Sequence, residues 1–518
     1  MKTQKICSSF LFIVTVAALN TQSAKADSNS LRQMQAIPNY SIPTSEETTG
    51  SFQLSVPSEK IPPDDIQKQL TPNNSNDSKS VLDALSPNPN PLQYPTKPQE
   101  VQIQKIQAIT LEQALELARR NNRELQVGLL ELQRAQAAVK EAQASLLPNA
   151  GLSAEVGRQQ SAQNQLAVES TNIGTDEAST AFNGSLQLSY DLYTGGRRNA
   201  QIGQAEERLR VQELAVGVLE EEVRLNVSTE YFDLQQADEE VRIANAAVVN
   251  ARASLRDAQA LEQAGVGTQF DVLRTRVNLA NAQQQLTNSI ASQQVARRRL
   301  VTRLSLPQSV DIAAADPVRL AGLWKTSLEQ SIILAYQNRS ELQQQLAQRN
   351  INLLDRRLAL SALKPQIALV ASYSLLDQFD DSVSLTDGYS VGVQANLNLF
   401  DGGRAKAQAA QAKANVKIAE TQFADTRNQI RFQVEQAYSG LQSNLENVQT
   451  SNAALEQARE SLRLARLRFQ AGVGTQLEVI DAENALTTAE GNSIRAILDY
   501  NRALASLQRS VTSRAISQ

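Results

Sequence analysis

The 518-residue chain carries 50 Lys and Arg against 54 Asp and Glu, a net charge of −4, and contains no histidine. The missing histidine excludes Ser-His-Asp triads, imidazole acid–base catalysis and most zinc sites, and the mild acidity argues against nucleic acid as a partner. Carboxylates at helical spacing are usually a solvated face, so the composition points away from an enzyme, and no cofactor is expected.

Lys2 and Lys5 precede an apolar stretch from Ile6 to Leu19, followed by Ala24-Lys25-Ala26. Residues 1–26 therefore read as a secretory signal cleaved after Ala26. Cys7, the one cysteine, leaves with it, and the mature chain has no thiol chemistry. Residues 27–105 hold eleven of the 15 prolines, scattered among Ser, Asn, Gln and Thr, and are expected to form a disordered or extended arm. Beyond the signal no apolar run reaches 18 residues, so any membrane crossing must be made by strands.

From there the chain repeats itself. Ala-Gly-Val-Gly-Thr-Gln begins at Ala264 and again at Ala471, Gly195-Gly196-Arg197 recurs as Gly402-Gly403-Arg404, Tyr231 as Tyr438, and Pro148 as Pro365. This predicts a mainly α chain built from a duplicated helix-strand-strand-helix-helix unit: a first repeat over 106–310, a connector over 311–325 and a second repeat over 326–518. Shorter helical patterns cover about Leu111 to Leu147 and Thr326 to Leu363, each ended by a proline.

After Pro148 and Pro365 the apolar period changes to two. Leu186, Leu188, Tyr190 and Leu192 alternate with polar residues, as do Val391, Val393, Ala395, Leu397 and Leu399. Weaker stripes sit at Leu152, Ala154 and Val156 and at Ile367, Leu369, Ala371, Tyr373 and Leu375. Strands are expected near 150–158, 182–193, 366–376 and 388–400, with one apolar face suited to lipid and one Ser-, Gln- and Asn-rich face suited to a wet lumen. Four strands cannot close a barrel, and open edges in lipid would leave about ten backbone groups unpaired at several kcal/mol each. More than one chain must complete the wall.

The Gly-Gly-Arg motifs then open two proline-free helical patterns, 197–264 and 404–471, each spanning roughly 100 Å at about 1.5 Å per residue. The first carries a heptad seam at Leu234, Ala237, Val241, Ala244, Val248, Ala251, Leu255 and Ala258; the second repeats it from Leu441 to Ala465 with Asn444 and Ser451 interrupting. Helical patterns return along Gln269 to Leu304 and Gln476 to Arg514, which makes two hairpins with tips at 264–268 and 471–475. Gly265, Gly267, Gly472 and Gly474 are expected to supply the positive φ angles of these turns.

Signal, duplication, strand pairs entered through proline and left through Gly-Gly-Arg, and long hairpins with glycine tips together resemble the TolC family of outer-membrane efflux proteins. The resemblance covers about Ile109 to Arg514 and is carried most specifically by Leu399-Phe400-Asp401-Gly402-Gly403-Arg404 and by Arg468-Phe469-Gln470-Ala471-Gly472 continuing to Leu477-Glu478-Val479-Ile480-Asp481. It implies a homotrimer with a twelve-strand barrel in outer-membrane lipid and an α-helical periplasmic tunnel, working as a passive exit duct for efflux or type I secretion. It further implies a periplasmic adaptor docking on Gly265, Val266, Gly267 and Thr268 and on Gly472, Val473, Gly474 and Thr475, and an inner-membrane ABC, RND or MFS pump. Glu478 and Asp481, with Asp271 in the first hairpin, would ring the narrow periplasmic gate. Where the family uses a tyrosine and an arginine to hold the gate closed, this chain has Phe469 and Gly474, so a lock must use other residues. A secreted coiled-coil stalk would explain the heptads but not the strands, and a periplasmic adaptor would need one hairpin rather than two.

Overall fold

A computed structural model describes residues 85, 92–103, 105–160, 162, 178–379 and 385–511, all within the unit Asn73–Gln518. The signal segment, most of the arm, and the central parts of both inter-strand loops lie outside the described residues. Two successions of helix, helix, strand, strand and two further helices follow one another. In chain order they are β1 (Lys105–Ile109), α1 (Leu111–Asn121), α2 (Arg123–Ala144), β2 (Asn149–Gln159), β3 (Ser179–Tyr193), α3 (Arg197–Gln263) and α4 (Gln269–Arg303). Then come β4 (Val310–Ala314), α5 (Leu328–Asn338), α6 (Ser340–Ser361), β5 (Gln366–Gln378), β6 (Thr386–Asn396), α7 (Arg404–Gln470) and α8 (Gln476–Val511).

Each shorter helical pattern is broken in two, against the expectation of one helix apiece. Asn122 leaves helical geometry and accepts from the Leu125 amide through Oδ1 at 3.0 Å, capping α2 while its Nδ2 donates to the Arg303 carbonyl. At the matching break in the second half stands Arg339, buried and donating to both oxygens of Glu341 at 2.6 and 3.2 Å, with Arg509 donating to the same carboxylate at 3.0 Å. Burial pushes the Glu341 carboxyl up, but the hydrogen bonds and charge of Arg339, helped by Arg509, outweigh it and hold the group at about 2.

β2-β3-β5-β6 form one antiparallel sheet, so the two halves meet at β3 and β5. Its register carries the alternation straight across: Leu152, Leu186, Tyr373 and Tyr389 share one row, and Ala150, Leu188, Ala371 and Val391 the next. On the opposite face run Ser153, Ser185 and Ser374, and Gln187, Ser372 and Ser390, with Ser153–Ser185 and Ser372–Ser390 hydroxyls 2.7 and 2.8 Å apart. The apolar face is bare, with Leu152 81% and Tyr389 84% exposed, and β2 and β6 each have an unpaired edge. β6 stops at Asn396, so Leu397 and Leu399 fall outside the strand expected over 388–400. Its ladder ends opposite Gln366, because Pro365 has no amide hydrogen with which to continue it.

The arm and the connector also depart from expectation. Leu85 is 4% exposed within the core formed by Ile109, Leu117, Val227, Tyr231 and Leu300, and residues Pro98–Val101 make a 3-10 turn. The connector contains β4, which pairs in parallel with β1 from Val310 opposite Lys105 to Ala314 opposite Ile109. A second core gathers Val434, Leu441, Tyr500, Leu504 and Leu507 under α5, and a third, small one lies near the second tip. No helix among the described residues is long and apolar enough to cross a membrane, a finding that leaves the sheet untouched.

Candidate functional site

Pro148 and Pro365 sit immediately before β2 and β5, where each ends an α-helical stretch. At the other end of each strand pair, Gly195 and Gly196 have φ of 63° and 93°, and Gly402 and Gly403 of 67° and 85°. The left-handed backbone of each pair turns strand into rod, and Gly196 and Gly403 stand as N-caps of α3 and α7. Gly195 is also sterically required, since a Cβ there would lie 2.7 Å from Lys364 Cβ and 3.0 Å from the Ser361 carbonyl. Arg197 pairs with Asp191 at 3.1 Å across the first junction. In the second, Asp401 accepts from the Gly403 and Ala405 amides at 2.9 and 2.8 Å, while Arg404 donates its amide to the Asp401 carbonyl. The bond from Ala405, partly countered by desolvation and joined by that from Gly403, lowers the Asp401 pKa.

At the hairpin tips, Gly265 and Gly472 have φ of 75° and 74°. Gly267 and Gly474 do not, which corrects the expectation of positive φ at all four. They are glycine because space is missing: a Cβ on Gly267 would sit 2.9 Å from the Glu262 amide nitrogen, and one on Gly474 would sit 3.0 Å from the Phe469 amide nitrogen. Val266 and Gly267 donate to the Leu261 carbonyl at 3.0 and 2.9 Å; Val473 and Gly474 donate to the Arg468 carbonyl at 3.0 Å. Thr268 and Thr475 then restart the helices by accepting from the Asp271 and Glu478 amides. Val266 and Val473 are 76% and 70% exposed at the turns.

Asp271 is engaged by the Thr268 hydroxyl. Glu478 lies 3.7 Å from Arg468, and both line a groove between α7 and α8 together with Asp481, Glu460 and Leu464. Phe469 packs apolar against Leu462, Ala465, Val479 and Ala482.

One network escaped the sequence reading. Glu483, 5% exposed, accepts from Arg466 at 3.0 Å and from the Ser254 hydroxyl at 3.0 and 3.2 Å, while Arg466 also donates to Asn250 at 3.1 Å. It ties the first hairpin to the second close to their tips. On sequence, Arg466 and Glu483 look like the solvated charges around them; only the burial of Glu483 sets the pair apart.

The family described as outer membrane efflux protein matches residues 114–305 and 332–512. The chain belongs to that family, a TolC-like family of outer-membrane channels rather than enzymes. It is 26% identical over 410 residues to the pyoverdine export outer membrane protein OpmQ of Pseudomonas putida, covering 77% of this chain and 85% of that one. It is 23% identical over 431 residues to outer membrane protein TolC of Escherichia coli, covering 76% and 80%. The crystal structure of the outer membrane protein VceC from Vibrio cholerae shares its fold with a TM-score of 0.65 at 18% identity, over 77% of this chain and 95% of that chain.

Proposed function

We propose that three copies of this chain form an outer-membrane exit duct of a tripartite efflux or type I secretion system, passive and gated at its periplasmic end. The observation that carries this reading is the sheet: its apolar face is bare over four strands, its other face is hydroxyl-rich, and both edges are unpaired. In lipid, open edges cost several kcal/mol per unpaired group, and a barrel of twelve strands from three sheets removes them. Signal cleavage near Ala26 delivers the chain, and α3, α4, α7 and α8 continue the duct as a periplasmic tunnel.

A duct has no energy source, so an inner-membrane ABC, RND or MFS pump drives export through an adaptor. The adaptor contacts the exposed turns 264–268 and 471–475. Asp271, Glu478 and Asp481 surround the entrance, and the bonds of Glu483 to Arg466 and Ser254 hold the two hairpins of each chain together in the closed arrangement. Opening then requires these partners to separate.

The test is extraction of membranes in mild detergent followed by native mass measurement and in-cell crosslinking from Thr475. A trimer from outer-membrane fractions, crosslinked to a periplasmic adaptor, is expected. A water-soluble monomer would overturn the duct.

A further inference from the structure

Resting on the reading of the second tip as the channel entrance, we propose that Arg468 is the countercharge of that tip, cancelling Glu478 so that, of the two acidic residues of α8 there, only Asp481 adds to the entrance's preference for cations. Four charged side chains line the groove between α7 and α8: Glu460, Arg468, Glu478 and Asp481. Glu460 is held by Arg463 at 2.6 Å, next to it on the same helix face. Glu478 has Arg468 3.7 Å away. Asp481 is exposed and has neither ion pair nor hydrogen bond among the described residues.

Arg468 is placed for the role by its backbone, because its carbonyl accepts from both Val473 and Gly474 and so closes the turn. The backbone that carries the guanidinium is therefore fixed at the tip whatever the side chain of Glu478 does. Both partners are largely exposed, so the pair adds little stability. Its effect on a passing ion does not depend on that stability: opposite unit charges a few ångströms apart nearly cancel at the distance of an ion on the pore axis. Per chain this groove contributes one net negative charge rather than two, so three chains bring three from it to the entrance instead of six.

The experiment measures reversal potentials of the full-length trimer in planar bilayers under a KCl gradient, together with the affinity of the detergent-solubilised trimer for hexaamminecobalt(III). The second readout orders the variants even where a closed pore conducts little. Asp481→Asn is expected to lower the cation preference. Arg468→Gln is expected to increase it and to tighten the trivalent cation by about tenfold, as unmasking one charge per chain implies. The double variant Arg468→Gln with Glu478→Gln should return to wild-type values, since it removes a neutral pair. If Arg468→Gln changes neither readout, or the double variant does not return to wild-type values, the countercharge assignment fails while the entrance reading stands. If no variant, Asp481→Asn included, alters either readout, it is the entrance reading that fails.

Discussion

α3 and α7 have the same length, the same Gly-Gly-Arg start, the same tip and related heptads, yet they end in different surroundings. α3 packs against α1, α2, α4, α6, α8 and β4; α7 packs chiefly against α5, α6 and α8. Nineteen residues of α3 are buried against eleven of α7, and α7 leaves Phe432 64% and Ile418 53% exposed. Related sequences thus become an inner rod and an edge rod. The difference arises from the covering elements: β1, Leu85 and the connector's β4 lie with α3, and the second half lends it α6 and α8. An edge rod with large apolar side chains on its free side fits the proposal that another copy covers it.

The sharpest way to break this comparison is to remove the same tyrosine from both rods. Tyr231 is fully buried, its hydroxyl donating to the Ile109 carbonyl at 3.1 Å and to Asp316 at 2.8 Å, while Tyr438 is only half-buried. Tyr231→Ala should cost about 3–5 kcal/mol and Tyr438→Ala less than about 2 kcal/mol, read from denaturation midpoints of the purified protein. Equal losses would mean that the two rods are covered alike.

Next in size is a contrast between a half-buried and a buried glutamate. Glu341, held at about 2, lies below its ordinary value of 4.5, so its stabilisation is complete above pH 4.5 and is lost as pH falls towards 2. Glu230 is raised by burial, with Arg303 only partly opposing, so its contribution is complete below pH 4.5 and is lost as pH rises through its higher folded value. Glu341→Gln should cost about 2–3 kcal/mol at pH 7, because it leaves Arg339 and Arg509 without their shared carboxylate, and should cost almost nothing near pH 2. Glu230→Gln should show the opposite trend, its cost shrinking as pH rises from about 4.5 to 7. Thermal midpoints across this range decide it; parallel profiles for the two variants would refute the contrast.

What the sequence alone discloses follows the same division. The strand faces could be read because a period of two is written in neighbouring residues, and Leu152 and Leu186 need only that pattern to share a row. The seam of α3 was readable too, with Leu234, Ala244, Val248, Ala251 and Ala258 all buried. The same spacing in α7 buries Leu441, Val448, Leu462 and Ala465 but leaves Ser451, Leu455 and Ala458 half-buried, because coverage depends on elements remote in sequence. β1 and β4 stayed hidden as five-residue strands whose pairing joins residues far apart in the chain. Asn122 and Arg339 break their helices without any glycine or proline to mark the place. At the candidate site, the acidic residues and turns could be named, but the burial of Glu483 and the 3.7 Å approach of Arg468 to Glu478 depend on how helices meet.

Where coverage no longer differs, the halves should respond alike, and the tips provide that control. A Cβ on Gly265 or Gly472 would meet nothing within 4 Å, so Gly→Ala there probes only the left-handed backbone. Each substitution should cost about 1 kcal/mol, the same in both hairpins, with the loss confined to faster amide exchange around the turn. Gly267→Ala and Gly474→Ala differ in kind, since the added methyl presses on the helix backbone and must reopen the turn. These should reduce export while trimer yield stays constant, a result read from cargo secretion beside native mass. Full export from both would separate the tip geometry from adaptor docking, and unequal exchange at Gly265→Ala and Gly472→Ala would show that the asymmetry of the rods reaches their ends.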